Sequence, residues 1–96
     1  MENITLFTDG VGRMVIGDVS LSKTLLKVKN PAVVNVQADP NSGQISVQLL
    51  PYVFSEFVKN EKEVEWTFQK ANVTYSDNLE LDERIIDQYK QIMFKD

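Results

Sequence analysis

The feature that most constrains this chain is a change of hydrophobic period. Through most of its length apolar and polar residues alternate one for one, and near the C-terminus the apolar residues recur instead every three to four positions. Alternation with period two is the signature of a strand with one wet face, whereas the longer period places apolar side chains along one stripe of a helix. Ninety-six residues, 43% of them hydrophobic, suffice for one core and not for two. The expectation is therefore a single domain of short antiparallel strands followed by one helix.

Ile4 to Phe7 and Arg13 to Val19 read as two strands, and Asp9-Gly10-Val11-Gly12 between them has the chemistry of a tight hairpin turn. In Thr24 to Lys29, Leu26 and Val28 alternate with Leu25, Lys27 and Lys29, which predicts an apolar face and a face edged with cations. Asn30-Pro31 should interrupt that ladder, because proline donates no hydrogen bond and restricts the residue before it; Ala32 to Gln37 then resumes as strand. "ADPNSGQ" is the clearest turn, and Ile45, Val47 and Leu49 form the next strand beyond it. Val64, Trp66 and Phe68, then Ala71, Val73 and Tyr75, predict two further strands. Leu81, Ile85, Ile86, Tyr89, Ile92 and Met93 fall at helical spacing, with Asp82 and Glu83 in the first turn, Lys90 and Lys95 in the last, and Asp77-x-x-Glu80 resembling a capping arrangement. Three regions result: strands over 1–58, additional strands over 59–76 and an amphipathic helix over 77–96. A chain of this order closes into a small barrel or a strongly bent sheet, with the helix over an open end or edge.

Several chemistries are disfavoured by what the sequence contains. Without cysteine there are no disulfides or thiolate metal sites, and without histidine the commonest general base and zinc ligand are missing. No cofactor or metal is expected. The glycines of "TDGVGRMVIGDV" are not spaced as a dinucleotide fingerprint, no lysine follows them as in a P-loop, and Met14, Val15 and Ile16 are strand formers. Asp39-Pro40-Asn41-Ser42-Gly43 lacks the remaining carboxylates and the closing glutamate of a calcium loop. The acidic pairs Asp82-Glu83 and Glu61-x-Glu63-x-Glu65 lie on wet faces, where nothing excludes water or perturbs a carboxylate, so an enzyme is not expected. The N-terminal segment is too short and acidic for a signal peptide and no apolar run approaches a membrane span; a cytoplasmic protein is the expectation.

Charge is placed unevenly. Residues 1–55 carry four basic and four acidic side chains, and the whole net charge of −4 belongs to the remainder. A nucleic acid, if bound, would approach the N-terminal part.

"ITLFTDGVGRMVIGDVSLSKTLLKVKNPAVV" resembles the first sequence motif of the Sm and Sm-like proteins, in which a strand ends in a polar residue and glycine, a second carries an inner glycine, and a third ends in an asparagine-plus-small-residue corner. Asp9-Gly10, Gly17, Leu25-Leu26 and Asn30-Pro31-Ala32 fall at the corresponding intervals. Taken together, "GVGRMVIGDV", "VKNPAVV", "VQLLPYVF" and "DQYKQIMF" are similar to small Sm-like proteins of tailed phages of marine cyanobacteria, a resemblance covering almost the whole chain. It implies a mainly β fold, a strongly bent five-stranded antiparallel barrel of SH3-like type, with an added C-terminal helix. It also implies a homo-oligomeric ring made by pairing of edge strands, which suits a small open barrel whose edges must be covered.

The family's base-reading residues do not carry over. Its loop before the third strand supplies an acidic residue, a stacking side chain and an asparagine, where this chain has Ser22-Lys23-Thr24-Leu25-Leu26. Leu50-Pro51 stands in the sequence where the second motif has an Arg-Gly pair, and the helix has moved from the N-terminus to the C-terminus. Two functions follow as expectations. The first is a ring that binds single-stranded RNA without catalysis, with Arg13, Lys23, Lys27 and Lys29 on phosphate and Asn30 and Tyr52 offered to bases. The second is an assembly or adaptor protein that binds a phage or host protein through its acidic C-terminal surface or a patch around Tyr52, Phe54 and Phe57.

Overall fold

The computed structural model describes residues 3–52, 65–76 and 78–93. Among the described residues six strands, one 3-10 turn and one helix follow in order: β1 (Ile4–Thr8), β2 (Met14–Leu21), β3 (Leu25–Ala38), β4 (Ile45–Pro51), β5 (Glu65–Gln69), a 3-10 turn (Lys70–Asn72), β6 (Thr74–Tyr75) and α1 (Glu83–Met93). All pairings are antiparallel. The sheet runs β4-β3-β2-β1-β6, β5 also pairs with β3, and among the described residues it does not close on itself. The expected Val64 and the Asp77 capping position lie outside the described residues, as do Phe54, Phe57, Glu61, Glu63 and Lys95.

β3 organises the molecule. It is fourteen residues long and runs straight through Asn30-Pro31, where an interruption is expected from the sequence. The reason is a bulge. Asp18 pairs with Lys29 and Ile16 with Ala32, so Gly17 alone on β2 faces Asn30 and Pro31 on β3. Asn30 takes the left-handed conformation at φ 52°, which asparagine tolerates better than most residues, and the extra residue bends the strand without ending it. Gly17 is required by close approach. A Cβ there would collide with the Val28 Cγ1 methyl and lie 3.2 Å from the Lys29 carbonyl oxygen.

The bend lets the two halves of β3 take different partners on one side. Leu25–Lys29 pairs with β5, and Ala32–Ala38 pairs with β4, while β2 spans the bend on the other side. β4 and β5 thus lie along β3 as two halves of one strand would. Leu50 and Pro51 belong to β4, opposite Val33 and Ala32, and so stand in a ladder instead of a loop. The expected strand over Ala71–Tyr75 is also shorter than its alternation suggests, because residues 70–72 turn and only Thr74 and Tyr75 reach β1.

Apolar residues collect on both faces of the sheet. Phe7, Val15, Val19, Leu26 and Val28 form an interior cluster with Tyr52, Phe68 and Val73 against it. Ile16, Ala32, Leu49 and Tyr89 form a second cluster on the opposite face, beneath α1. Val15 and Ile16 are therefore buried on opposite sides, which explains why "MVI" abandons alternation. Asp82 caps α1: its Oδ1 accepts the Arg84 backbone N–H at 2.8 Å and its carbonyl accepts from Ile85.

Candidate nucleic-acid interface

The six residues singled out from the sequence fall into three places. Arg13 and Tyr52 come together, although far apart in the chain. The turn after β1 exposes two backbone N–H groups toward Asp9, whose Oδ1 accepts from Val11 at 3.1 Å and Arg13 at 2.8 Å. Its Oδ2 accepts from the Arg13 Nε at 2.8 Å and from the Tyr52 hydroxyl at 3.3 Å, and the Arg13 Nη2 donates to that hydroxyl at 2.7 Å. The guanidinium also lies 4.9 Å from the centre of the Tyr52 ring, which meets Trp66 and Phe68 edge to face. Burial of Asp9 pushes its carboxyl up, but the backbone N–H and guanidinium of Arg13 with the Val11 N–H outweigh it and hold the group below its ordinary value. The Tyr52 hydroxyl is pushed up, chiefly by burial.

This arrangement ties the half-exposed Arg13 side chain to the fold. Its positive charge is matched by a buried carboxylate, and the Tyr52 ring is half-covered by aromatic neighbours. Asp9 is not among the site residues that the sequence leads one to expect. The signal was an aspartate opening a glycine turn with an arginine four positions on, the spacing of a side-chain-closed turn.

Asn30 is buried at the bulge, and its carbonyl accepts the Tyr89 hydroxyl at 2.7 Å; the same hydroxyl lies 3.3 Å from the Lys29 carbonyl. Tyr89 thereby ties α1 to the backbone that the bulge exposes. Asn30 acts here as a corner residue.

The lysines occupy the outer face of the β3–β5 half. Lys29 is half-buried and lies in register between Asp18 of β2 and Glu65 of β5. Lys27 is exposed between Ser20 and Thr67, and Lys23 is exposed in the turn joining β2 to β3. That turn is closed by the Ser22 backbone N–H on the Leu25 carbonyl, and the Lys70 N–H donates to the Thr24 carbonyl at 3.0 Å. The 3-10 turn is thus fastened beside Lys23. Lys70 joins the cationic set, with its Nζ 5.9 Å from the centre of the half-exposed Tyr75 ring. No acidic residue occurs between Asp18 and Asp39 or between Glu65 and Asp77, so both segments forming this end are free of carboxylates. Lys70 was invisible to sequence reasoning because its proximity to Lys23 depends on the pairing of β5 with β3.

Among the described residues no group of acidic side chains is arranged to hold a metal ion. No described helix is long and apolar enough to cross a membrane. The chain matches no family model and no curated protein sequence.

Proposed function

We propose that this chain is an Sm-like protein that assembles head to tail into a homo-oligomeric ring and binds single-stranded RNA without catalysis. The observation that carries the RNA reading is a pair of turns, each within a segment lacking acidic residues, that are hydrogen-bonded together, with Lys23 in one, Lys70 in the other beside Tyr75, and Lys27 exposed on the adjoining β3. Cations track a phosphate backbone, and an exposed aromatic face accepts a base without reading its edge. Arg13, Asn30 and Tyr52 serve the fold in this reading, while Lys29 is a minor contributor because Asp18 and Glu65 flank it.

The Sm-like assignment is supported by the bulge within β3, the glycine opposite it, and β4 with β5 acting as one split strand, which reduces six described strands to a five-strand plan. Ring formation is supported by two unlike sheet edges. No described strand pairs with β4 on its side away from β3, or with β6 on its side away from β1. Both edges carry exposed apolar residues: Val36 and Ile45 along the β3–β4 arm, at 52% and 68% exposure, and Met14, Tyr75 and Leu79 near β6. Unlike surfaces that fit one another pair heterologously, and such pairing closes into a ring when the rotation permits.

The adaptor reading is favoured by one observation, the apolar β3–β4 arm, which suits a protein partner better than a nucleic acid. Size-exclusion chromatography with light scattering, run with oligo-U and oligo-A at low and moderate salt, separates the two. The expected outcome is an oligomer that takes up RNA at low salt and releases it as salt rises. Changing Lys23, Lys27 and Lys70 together to Glu should abolish uptake and leave the oligomer intact. Uptake unaffected by those changes would overturn the site, and an oligomer indifferent to RNA would favour the adaptor.

A further inference from the structure

The β4 edge has a direction that can be read from its ladder. The Asp39 N–H donates to the Gln44 carbonyl at 2.8 Å and the Tyr52 N–H donates to the Pro31 carbonyl at 2.9 Å, so the pairs that flank the β3–β4 register at both ends are hydrogen-bonded. Antiparallel ladders alternate. Pairs at odd positions of β3 exchange hydrogen bonds, and the intervening pairs, Val34 with Leu49, Val36 with Val47 and Ala38 with Ile45, do not. The backbone N–H and C=O groups of Ile45, Val47 and Leu49 therefore point away from β3, along the edge where an added strand would attach. Such a row of outward groups is a template for strand addition.

One of these groups is already engaged. The Gln88 side-chain Nε2, reaching from α1, donates to the Val47 carbonyl at 2.9 Å. Val47 lies between Ile45 and Leu49 in that row, and Val47, Asp82, Arg84, Ile85 and Gln88 line a cleft between the first turns of α1 and this edge. A strand laid along β4 would enter that cleft. The Gln88 amide occupies the place that a backbone N–H of the incoming strand would take.

Resting on the ring reading above, we infer that Gln88 is an edge guard: it blocks the central acceptor of β4 in the free subunit and must swing away when a second copy of the chain adds its strand. Assembly then exchanges an internal hydrogen bond for an intersubunit one. The net worth of the contact sets how far association is held back, and the guard keeps the edge from pairing with unrelated strands at low concentration.

The test is sedimentation equilibrium of the full chain against Gln88→Met and Gln88→Glu. The first keeps the length and apolar stem and removes the donor. The second replaces the donor with a group that the carbonyl repels. The subunit dissociation constant is expected to fall about three- to ten-fold in Gln88→Met and at least as far in Gln88→Glu, the range set by one ordinary hydrogen bond. Thermal unfolding of each variant reports whether α1 remains packed, so that a fall in association caused by a damaged fold is recognised. A dissociation constant unchanged or raised in both folded variants overturns the guard. Wild type and variants all remaining monomeric at the highest concentration overturns the ring reading itself, a different result from equal association.

Discussion

The interior cluster and the cluster beneath α1 are built on the two faces of the same strands, yet they are held in different ways. The interior cluster takes Phe7, Val15, Val19, Leu26 and Val28 from three neighbouring strands, so every buried member is supplied by the sheet itself. The other takes Ile16, Ala32 and Leu49 from the sheet but closes over them with a single fully buried helix residue, Tyr89. Tyr89 also caps the carbonyls of Asn30 and Lys29 at the bulge. One face is secured by sheet residues alone, and the other by a helix whose one fully buried side chain has two duties, with Leu81, Ile85 and Met93 partly buried beside it. The interior should thus fail globally, and the helix side locally.

The largest effects test that contrast directly. Val28→Asp places an unpaired charge where the side chain is fully buried and should cost at least about 4 kcal/mol, abolishing the cooperative melt. Tyr89→Asp buries a charge as well, but its helix can peel away, so circular dichroism should lose the helical signal while the strand signal persists. Simultaneous loss of both signals in Tyr89→Asp would show that the two clusters are one cooperative unit.

A smaller effect belongs to Asp9, whose carboxylate fastens the first turn to Arg13 and Tyr52. Asp9→Asn keeps the size but removes the charge that the guanidinium faces, and chemical denaturation should show a loss of about 2 kcal/mol at neutral pH. The group's folded value lies below 3.8, so its contribution is complete above that pH and is lost as pH falls through the folded value. The variant should accordingly show a flatter acid limb than wild type. An unchanged acid limb would mean that the carboxylate's stabilising role lies elsewhere. The Asp82 carboxyl, on an exposed cap, is held down to about 2, mainly by the Arg84 side chain.

The smallest change sharpens the account of the helix. Tyr89→Phe retains the packing and removes only the hydroxyl, leaving the Asn30 carbonyl without that donor. A loss of about 1 kcal/mol in thermal or chemical unfolding is expected. A loss as large as that of Tyr89→Asp would mean that the hydrogen bond, not the ring, carries the contact.

Much of this fold was legible because its information is local. Leu26 and Val28 against Lys27 and Lys29, and Trp66 and Phe68 against Glu65 and Thr67, declare their strands through alternation alone. Gly12 and Gly43 take positive φ in the two turns where turn chemistry puts them. What escaped reading depends on residues distant in sequence. Proline at position 31 looks like a strand end until it is seen opposite Gly17, where β3 needs an extra residue and not another ladder hydrogen bond. Arg13 looks like a free cation until Asp9 and Tyr52 close around it, and Lys70 looks like one loop residue among several until the pairing of β5 brings it beside Thr24. The helix cap is a nearer case. Asp82 serves as cap, so the helix begins after it, later than the Asp77-x-x-Glu80 pattern suggests.

The glycine opposite the bulge also restricts the order in which this sequence can change. Alanine at position 17 would strike the Val28 methyl, while Val28 is fully buried in the interior cluster. A smaller residue at 28 must therefore be in place before anything but glycine can enter at 17, and that first step opens a cavity in the core. Each change is unfavourable alone and the second is accessible only through the first, so the two positions should drift together or remain fixed together. The bend in β3 is thus an evolutionary ratchet as well as a geometric corner.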